Sequence, residues 1–166
     1  EFSEAERAER AQEIAESDVD FIIDVGDSVA SSKQAIKDAA DYPWCYAAVG
    51  LHPDQAMIVT DADVEAIREL AGAPKVQAVG EIGLDYYYDE PKKEIQKKAF
   101  IAQLDLARKY NLPVVIHSRD AAKDTFDILK KFEGVGGIIH CYSYSKEMAR
   151  EFIRLGYLLG IGGVVT

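Results

Sequence analysis

Basic charge, cysteine, histidine and long apolar runs are all scarce in this sequence, and each shortage narrows the reading. Lysine and arginine total 19 against 29 aspartates and glutamates, a formal net charge of −10. A chain this acidic offers no broad basic face to nucleic acid, so a phosphate substrate would need a few local cations or a metal. The two cysteines, Cys45 and Cys141, make neither a CxxC pair nor a disulfide framework, which suits a reducing compartment. No apolar run approaches the roughly 20 residues that span a bilayer. No basic-then-apolar leader opens the sequence. A cytoplasmic protein without a membrane or obligate protein partner is therefore expected.

What is present points to a packed core. Apolar residues make up 48%, with Pro 5 and Gly 12, which excludes a disordered or collagen-like chain. The 166 residues show no charge run, Pro-rich linker or repeat, so residues 1–166 are expected to form one domain. Short, nearly continuous apolar runs predict parallel strands at 19–26, 45–52, 76–85, 114–117, 136–141 and 157–165.

Helical spacing fills the gaps. Ser3 and Glu6 have capping-box spacing, and Val64, Ile67, Leu70 and Ala71 share one face. Pro91 opens a long helix through Tyr110 with a stripe of Ile95, Ala99, Ala102 and Leu106. Asp120 is expected to cap a helix bearing Ala122, Phe126 and Leu129, and Ser145 one bearing Met148, Phe152 and Leu155. This alternation predicts an α/β fold of about six parallel strands, either a doubly wound sheet or part of a (β/α)8 TIM barrel.

In both architectures ligands bind at the carboxyl ends of the strands. The chain has three histidines, and His52, His117 and His140 all fall at such ends, with Glu81 at a similar level. Imidazole and carboxylate together suit zinc, manganese or iron. Glu81 sits between Gly80 and Ile82, where an ionised carboxylate is costly unless paired or metal-bound. A buried ion pair to Arg119 is the plainer alternative. Lys92, Lys93, Lys97 and Lys98 read as a solvated helix face before they read as phosphate contacts.

At these residues the sequence resembles the TatD family of metal-dependent deoxyribonucleases, amidohydrolase-like TIM barrels. The resemblance is carried by AVGLHPDQA (48–56), VGEIGLDYYY (79–88), LPVVIHSRDA (112–121) and GIIHCYS (137–143), with LGIGGVVT (159–166) similar to the following strand. It implies hydrolysis of DNA phosphodiester bonds by two divalent ions (Zn, Mg or Mn). Glu81 would be the carboxylate shared by both ions, and His117 and His140 would complete the ligands of one. These three would form the catalytic set. His52 and Arg119 would face the substrate, and Asp85 would be a structural acceptor. Tyr86, Tyr87 and Tyr88 would line the mouth, packing there or stacking on a base.

The family's His-x-His strand and its final Asp strand have no counterpart in this sequence, which is expected to be truncated at both ends relative to a parent of about 250 residues. One tight metal, weak or absent hydrolysis and association through open sheet edges are then expected of the chain as written. Two other readings stay open: hydrolysis of carboxylic esters, lactones or amides by the same metal, and a non-catalytic metal-binding fragment.

Overall fold

The computed structural model describes residues 3–56 and 60–163. Six strands alternate with helices: α1 (Glu4–Ala15), β1 (Ile22–Val25), α2 (Val29–Asp41), β2 (Cys45–Val49), α3 (Asp61–Leu70), β3 (Val76–Asp85), α4 (Lys93–Tyr110), β4 (Val114–Arg119), α5 (Ala122–Leu129), β5 (Gly137–Ile139), α6 (Lys146–Arg154) and β6 (Tyr157–Leu159). The strands form one sheet in the order β1-β2-β3-β4-β5-β6, every pair parallel. Chain order and spatial order coincide, so the sheet has no switch point of the doubly wound kind. It is the wall of a (β/α) barrel, left open between β1 and β6 among the described residues.

The two faces differ. Val114 and Ile116 of β4 pack with Phe100 and Leu104 of α4, Ile128 and Leu129 of α5 and Phe152 of α6. Ala47 and Val49 of β2 pack with Ala35 and Ala39 of α2 and Ile67 of α3. The intervening strand residues Ala48, Ala78 and Val115, joined by Val25 and Ile138, form a separate cluster made of strands alone. The period-two alternation of strands puts His117 on the same face as Val115. That face, and the strand ends above it, hold the site.

Local sequence explains most elements. Ser3 and Glu6 make the expected capping box, Thr60 with Asp63 makes another, and Ser145 accepts from the Met148 amide. α2 carries no signal in the expectations above. Its cap is a Ser28–Ser31 pair, and its buried face is Ser32, Ala35 and Ala39, too small to give a strong apolar stripe.

Three expectations need correction. In α4 the buried face is Gln96, Phe100, Gln103, Leu104, Leu106 and Ala107, while Ile95 is 41% exposed. Two buried glutamines displace the apolar stripe, because polar side chains read as solvent-facing in a hydrophobic pattern. Asp120 does not cap α5: it sits at φ 52°, and the cap position is Ala121 with no side-chain bond. The predicted strands at 19–26, 45–52, 136–141 and 157–165 pair over fewer residues, that at 114–117 runs on to Arg119, and residues 164 and 165 lie outside the described residues.

Candidate metal centre

The strand ends converge through backbone bonds as well as sheet pairing. The Glu81 amide donates to the Gly26 carbonyl at 2.8 Å, and the His52 amide donates to the Asp27 carbonyl at 2.8 Å. The loop after β1 thus ties the tips of β2 and β3 together. Between β3 and β4 the register shifts between Val79 and Ile82, the stretch that contains Glu81. Close approach of these strands depends on Gly83, at φ 146°, where a Cβ would lie 1.9 Å from the His117 carbonyl oxygen.

Here His52, Glu81 and His117 bring one ligand atom each within 4.8 Å of one another. All three are largely buried, with side-chain exposures of 16%, 20% and 22%. His117 lies between two carboxylates: its Nδ1 is 3.1 Å from Glu81 Oε1 and its Nε2 is 2.9 Å from Asp85 Oδ2. Asp85 Oδ1 also accepts from the Tyr87 amide at 3.0 Å. The ring of His52 meets that of His117 at 4.3 Å and 67°. His52 Nδ1 is 2.9 Å from Asp54 Oδ1.

The electrostatics of the cluster favour positive charge. Burial alone would raise the Glu81 carboxyl, but its bond to His117 and the charges of His117, His52 and His140 bring it below its ordinary value. Burial alone would lower His117, but its bonds to Glu81 and Asp85 raise it. A pocket that holds a proton between Nδ1 and a carboxylate suits a divalent cation there. The mixed imidazole and carboxylate donors fit zinc, manganese or iron. Asp85 on the far nitrogen supplies the orienting carboxylate that metal-bound histidines commonly have.

The remaining expected residues are distributed around this group. His140, exposed at the end of β5, stands outside it, with Nε2 3.2 Å from Cys141 Sγ. Arg119 forms no ion pair with Glu81 or any other carboxylate among the described residues. Its guanidinium lies 3.7 Å from the Tyr87 ring centroid. Lys97 pairs with Glu94 and Asp124, as a solvated helix face does. A cavity of about 210 Å³ opens beside the cluster, lined by His52, Asp54, Asp85, Tyr88, Glu90, Pro91, His117 and Arg119.

Asp85, expected as a structural acceptor, accepts from the Tyr87 amide and also lies against His117. Two glutamines escaped sequence reasoning. Gln96 and Gln103, seven residues apart on α4, each bond to the main chain at a strand end. Gln96 takes the Asp85 amide at 2.8 Å and gives to the Asp85 carbonyl at 2.7 Å; Gln103 does the same at Leu51, beside His52. Their spacing of seven residues, which puts both on one helical face, was the available signal.

Fold and site together define a class: a barrel-type α/β protein with a histidine–carboxylate cluster at the carboxyl rim. The comparisons with known proteins narrow it. Residues 1–166 match the family described as TatD related DNase, and the chain belongs to that family. It is 43% identical over 150 residues to the uncharacterized metal-dependent hydrolase YabD of Bacillus subtilis, covering 89% of this chain and 59% of that protein. It is 36% identical over 149 residues to the 3'-5' ssDNA/RNA exonuclease TatD of Escherichia fergusonii, covering 89% and 57%. The crystal structure of YjjV, a TatD homolog from Escherichia coli K12, superposes with a TM-score of 0.91 at 34% identity, over 98% of this chain and 64% of that one. The chain therefore spans about three fifths of the length of the curated relatives it matches. No helix among the described residues is long and apolar enough to cross a membrane.

Proposed function

We propose that this chain carries the metal-holding half of a phosphodiesterase that cleaves DNA, and that Glu81, His117 and His140 ligate one divalent ion in it. The observation that carries the reading is the unbroken line Glu81–His117–Asp85, two carboxylates bracketing one imidazole at 3.1 and 2.9 Å with His52 against its ring. His140 ends the strand next to His117, and its charge helps to hold Glu81 ionised. His52, with Nδ1 committed to Asp54, presents its ring to the cavity and faces the substrate.

A bound divalent ion supplies Lewis-acid polarisation of a phosphoryl oxygen and a water of lowered pKa. The protein's own contributions are separate. Asp85 fixes the orientation of the His117 ring. Glu81 stays ionised in a mostly buried position. Arg119, free of any carboxylate partner among the described residues, meets a phosphate oxygen with a forked donor set. That local cation matters in a chain whose net charge of −10 repels polyanions at long range.

The test is cleavage of an end-labelled single-stranded oligonucleotide by protein loaded with manganese or zinc, with and without chelator, against a p-nitrophenyl acyl ester. Chelator-sensitive scission of the oligonucleotide, lost in Glu81→Ala and absent on the acyl ester, supports the reading. Chelator-sensitive turnover of the acyl ester alone contradicts it.

A further inference from the structure

The end of β3 lacks a strand on one side. β2 pairs with β3 only as far as Val49 against Val79, well short of Asp85. On the other side β4 runs on, and the Tyr86 amide donates to the Arg119 carbonyl at 2.9 Å. Main-chain groups alternate in direction along a strand, so those of Asp85 turn away from β4. They meet the side chain of Gln96, which is 1% exposed on α4. Gln96 Oε1 accepts from the Asp85 amide at 2.8 Å, and Nε2 donates to the Asp85 carbonyl at 2.7 Å. Nε2 also donates to the Pro91 carbonyl at 2.7 Å. One side-chain amide thus stands in for the missing strand and ties together both ends of the loop that leads from β3 to α4.

We propose that Gln96 is a positioning residue of the metal centre, which fixes the Asp85 carboxylate behind His117 and the loop that walls the cavity. The inference rests on the metal-binding reading above and adds to it a residue that touches neither ion nor substrate.

The relay is short. Two torsions separate the main chain of Asp85 from its carboxylate, so fixing its amide and carbonyl fixes most of the reach of that group. From there Oδ2 lies 2.9 Å from His117 Nε2, and Oδ1 accepts from the Tyr87 amide at 3.0 Å. The bond to Pro91 acts on the cavity: Tyr88, Glu90 and Pro91 line it together with Asp85 and His117, so the same amide places that wall. Burial accounts for the choice of side chain. A hydrocarbon at this position leaves three buried main-chain groups without partners, and an ionised group is costly there. The segment must then move to recover its hydrogen bonds, and the Asp85 carboxylate moves with it.

The test is isothermal titration with zinc of the unmodified chain, Gln96→Met, Asp85→Asn and the double variant. Gln96→Met is expected to bind zinc about tenfold more weakly, within the range for disturbing a partner behind a metal-bound histidine. In the Asp85→Asn background the same change is expected to cost less than about twofold, because the group it acts through is already gone. Leu104→Ala, a buried core change on the same helix, is expected to lower the urea midpoint comparably and leave zinc affinity unchanged. Unchanged affinity in Gln96→Met, an equal loss in both backgrounds, or the same loss in Leu104→Ala overturns the proposal. If Gln96→Met does not fold, Gln96→Asn, which keeps the amide on a shorter chain, carries the same expectations. Hydrogen exchange of the Tyr87 amide gives a metal-free readout, expected to quicken in Gln96→Met and not in Leu104→Ala. If the unmodified chain takes up no zinc, the metal reading fails by itself. Quickened Tyr87 exchange then still supports the hold on Asp85, and unchanged exchange overturns it.

Discussion

Gln103 clamps the main chain of Leu51 on both of its polar groups: its Oε1 accepts from the Leu51 amide at 2.7 Å and its Nε2 donates to the Leu51 carbonyl at 3.0 Å. Leu51 immediately precedes His52 and is buried. A side chain on a rigid 18-residue helix therefore fixes the loop that presents a site imidazole. Gln103→Leu keeps the bulk but strands two buried main-chain groups. A loss of about 2–4 kcal/mol in unfolding free energy is expected, since each stranded group costs roughly 1–3 kcal/mol. Urea denaturation measures it, and a loss below about 0.5 kcal/mol would show that the clamp is not needed.

Asp85 makes no contact with a cation in this account, yet it orients one ligand. Asp85→Asn retains an acceptor for the Tyr87 amide but removes the negative charge beside His117 Nε2. Metal affinity is expected to fall by about 10–100-fold, the usual cost of losing a partner behind a metal-bound histidine. Isothermal titration with zinc or manganese checks this. Unchanged affinity would make Asp85 structural only.

The two outer histidines are assigned different work, and their variants separate the assignments. His140→Ala is expected to reduce bound metal sharply, as is His117→Ala. His52→Ala is expected to keep the metal and to weaken substrate binding, raising KM more than it lowers kcat. Elemental analysis after dialysis reads the first effect. If His52→Ala strips the metal and His140→Ala does not, the ligand set is instead the group gathered within 4.8 Å.

Much of this was legible in the sequence because strand ends are readable. The apolar runs located all six strands, and the rule that ligands gather at carboxyl ends set His52, His117, His140 and Glu81 at one rim, of which the structure gathers His52, Glu81 and His117 within 4.8 Å and leaves His140 outside that group. What was not legible is carried by residues whose chemistry contradicts their position. Gln96 and Gln103 are polar yet buried, and they moved the α4 stripe away from Ile95. Asp85 was legible as an acceptor at a strand end but not as a partner of His117: the β3–β4 register sets it opposite Arg119, and only its side chain reaches the His117 ring. α2 hides because its buried face is made of alanine and serine. Spacing alone cannot decide which of three histidines reaches a given carboxylate.

A carboxylate pair elsewhere gives a pH dependence of definite sign. Asp24 on β1 is held above its ordinary 3.8, first by burial and then by its bond to and the charge of Asp38; the shared Arg7 offsets this only in part. The folded chain thus keeps a proton on Asp24 at pH values where the unfolded chain has lost it. The stability this provides is full below 3.8 and is lost as pH rises through the higher native value, leaving a net cost at neutrality. Asp24→Asn is expected to raise the neutral-pH unfolding free energy slightly, by no more than about 1 kcal/mol for so partly exposed a group. The gain should vanish toward pH 3 in a series of thermal melts. A gain that grows on acidification would reverse the sign argued here.

The central claim is that a cation sits between Glu81 and His117, and anomalous diffraction at the zinc edge from zinc-soaked crystals addresses it directly. The expected result is one strong peak within bonding distance of Glu81 Oε1 and His117 Nδ1, at about 2.0–2.2 Å, with His117 Nε2 still held by Asp85. A peak elsewhere, such as on Cys141 Sγ, with Glu81 and His117 still bonded to each other, would contradict it.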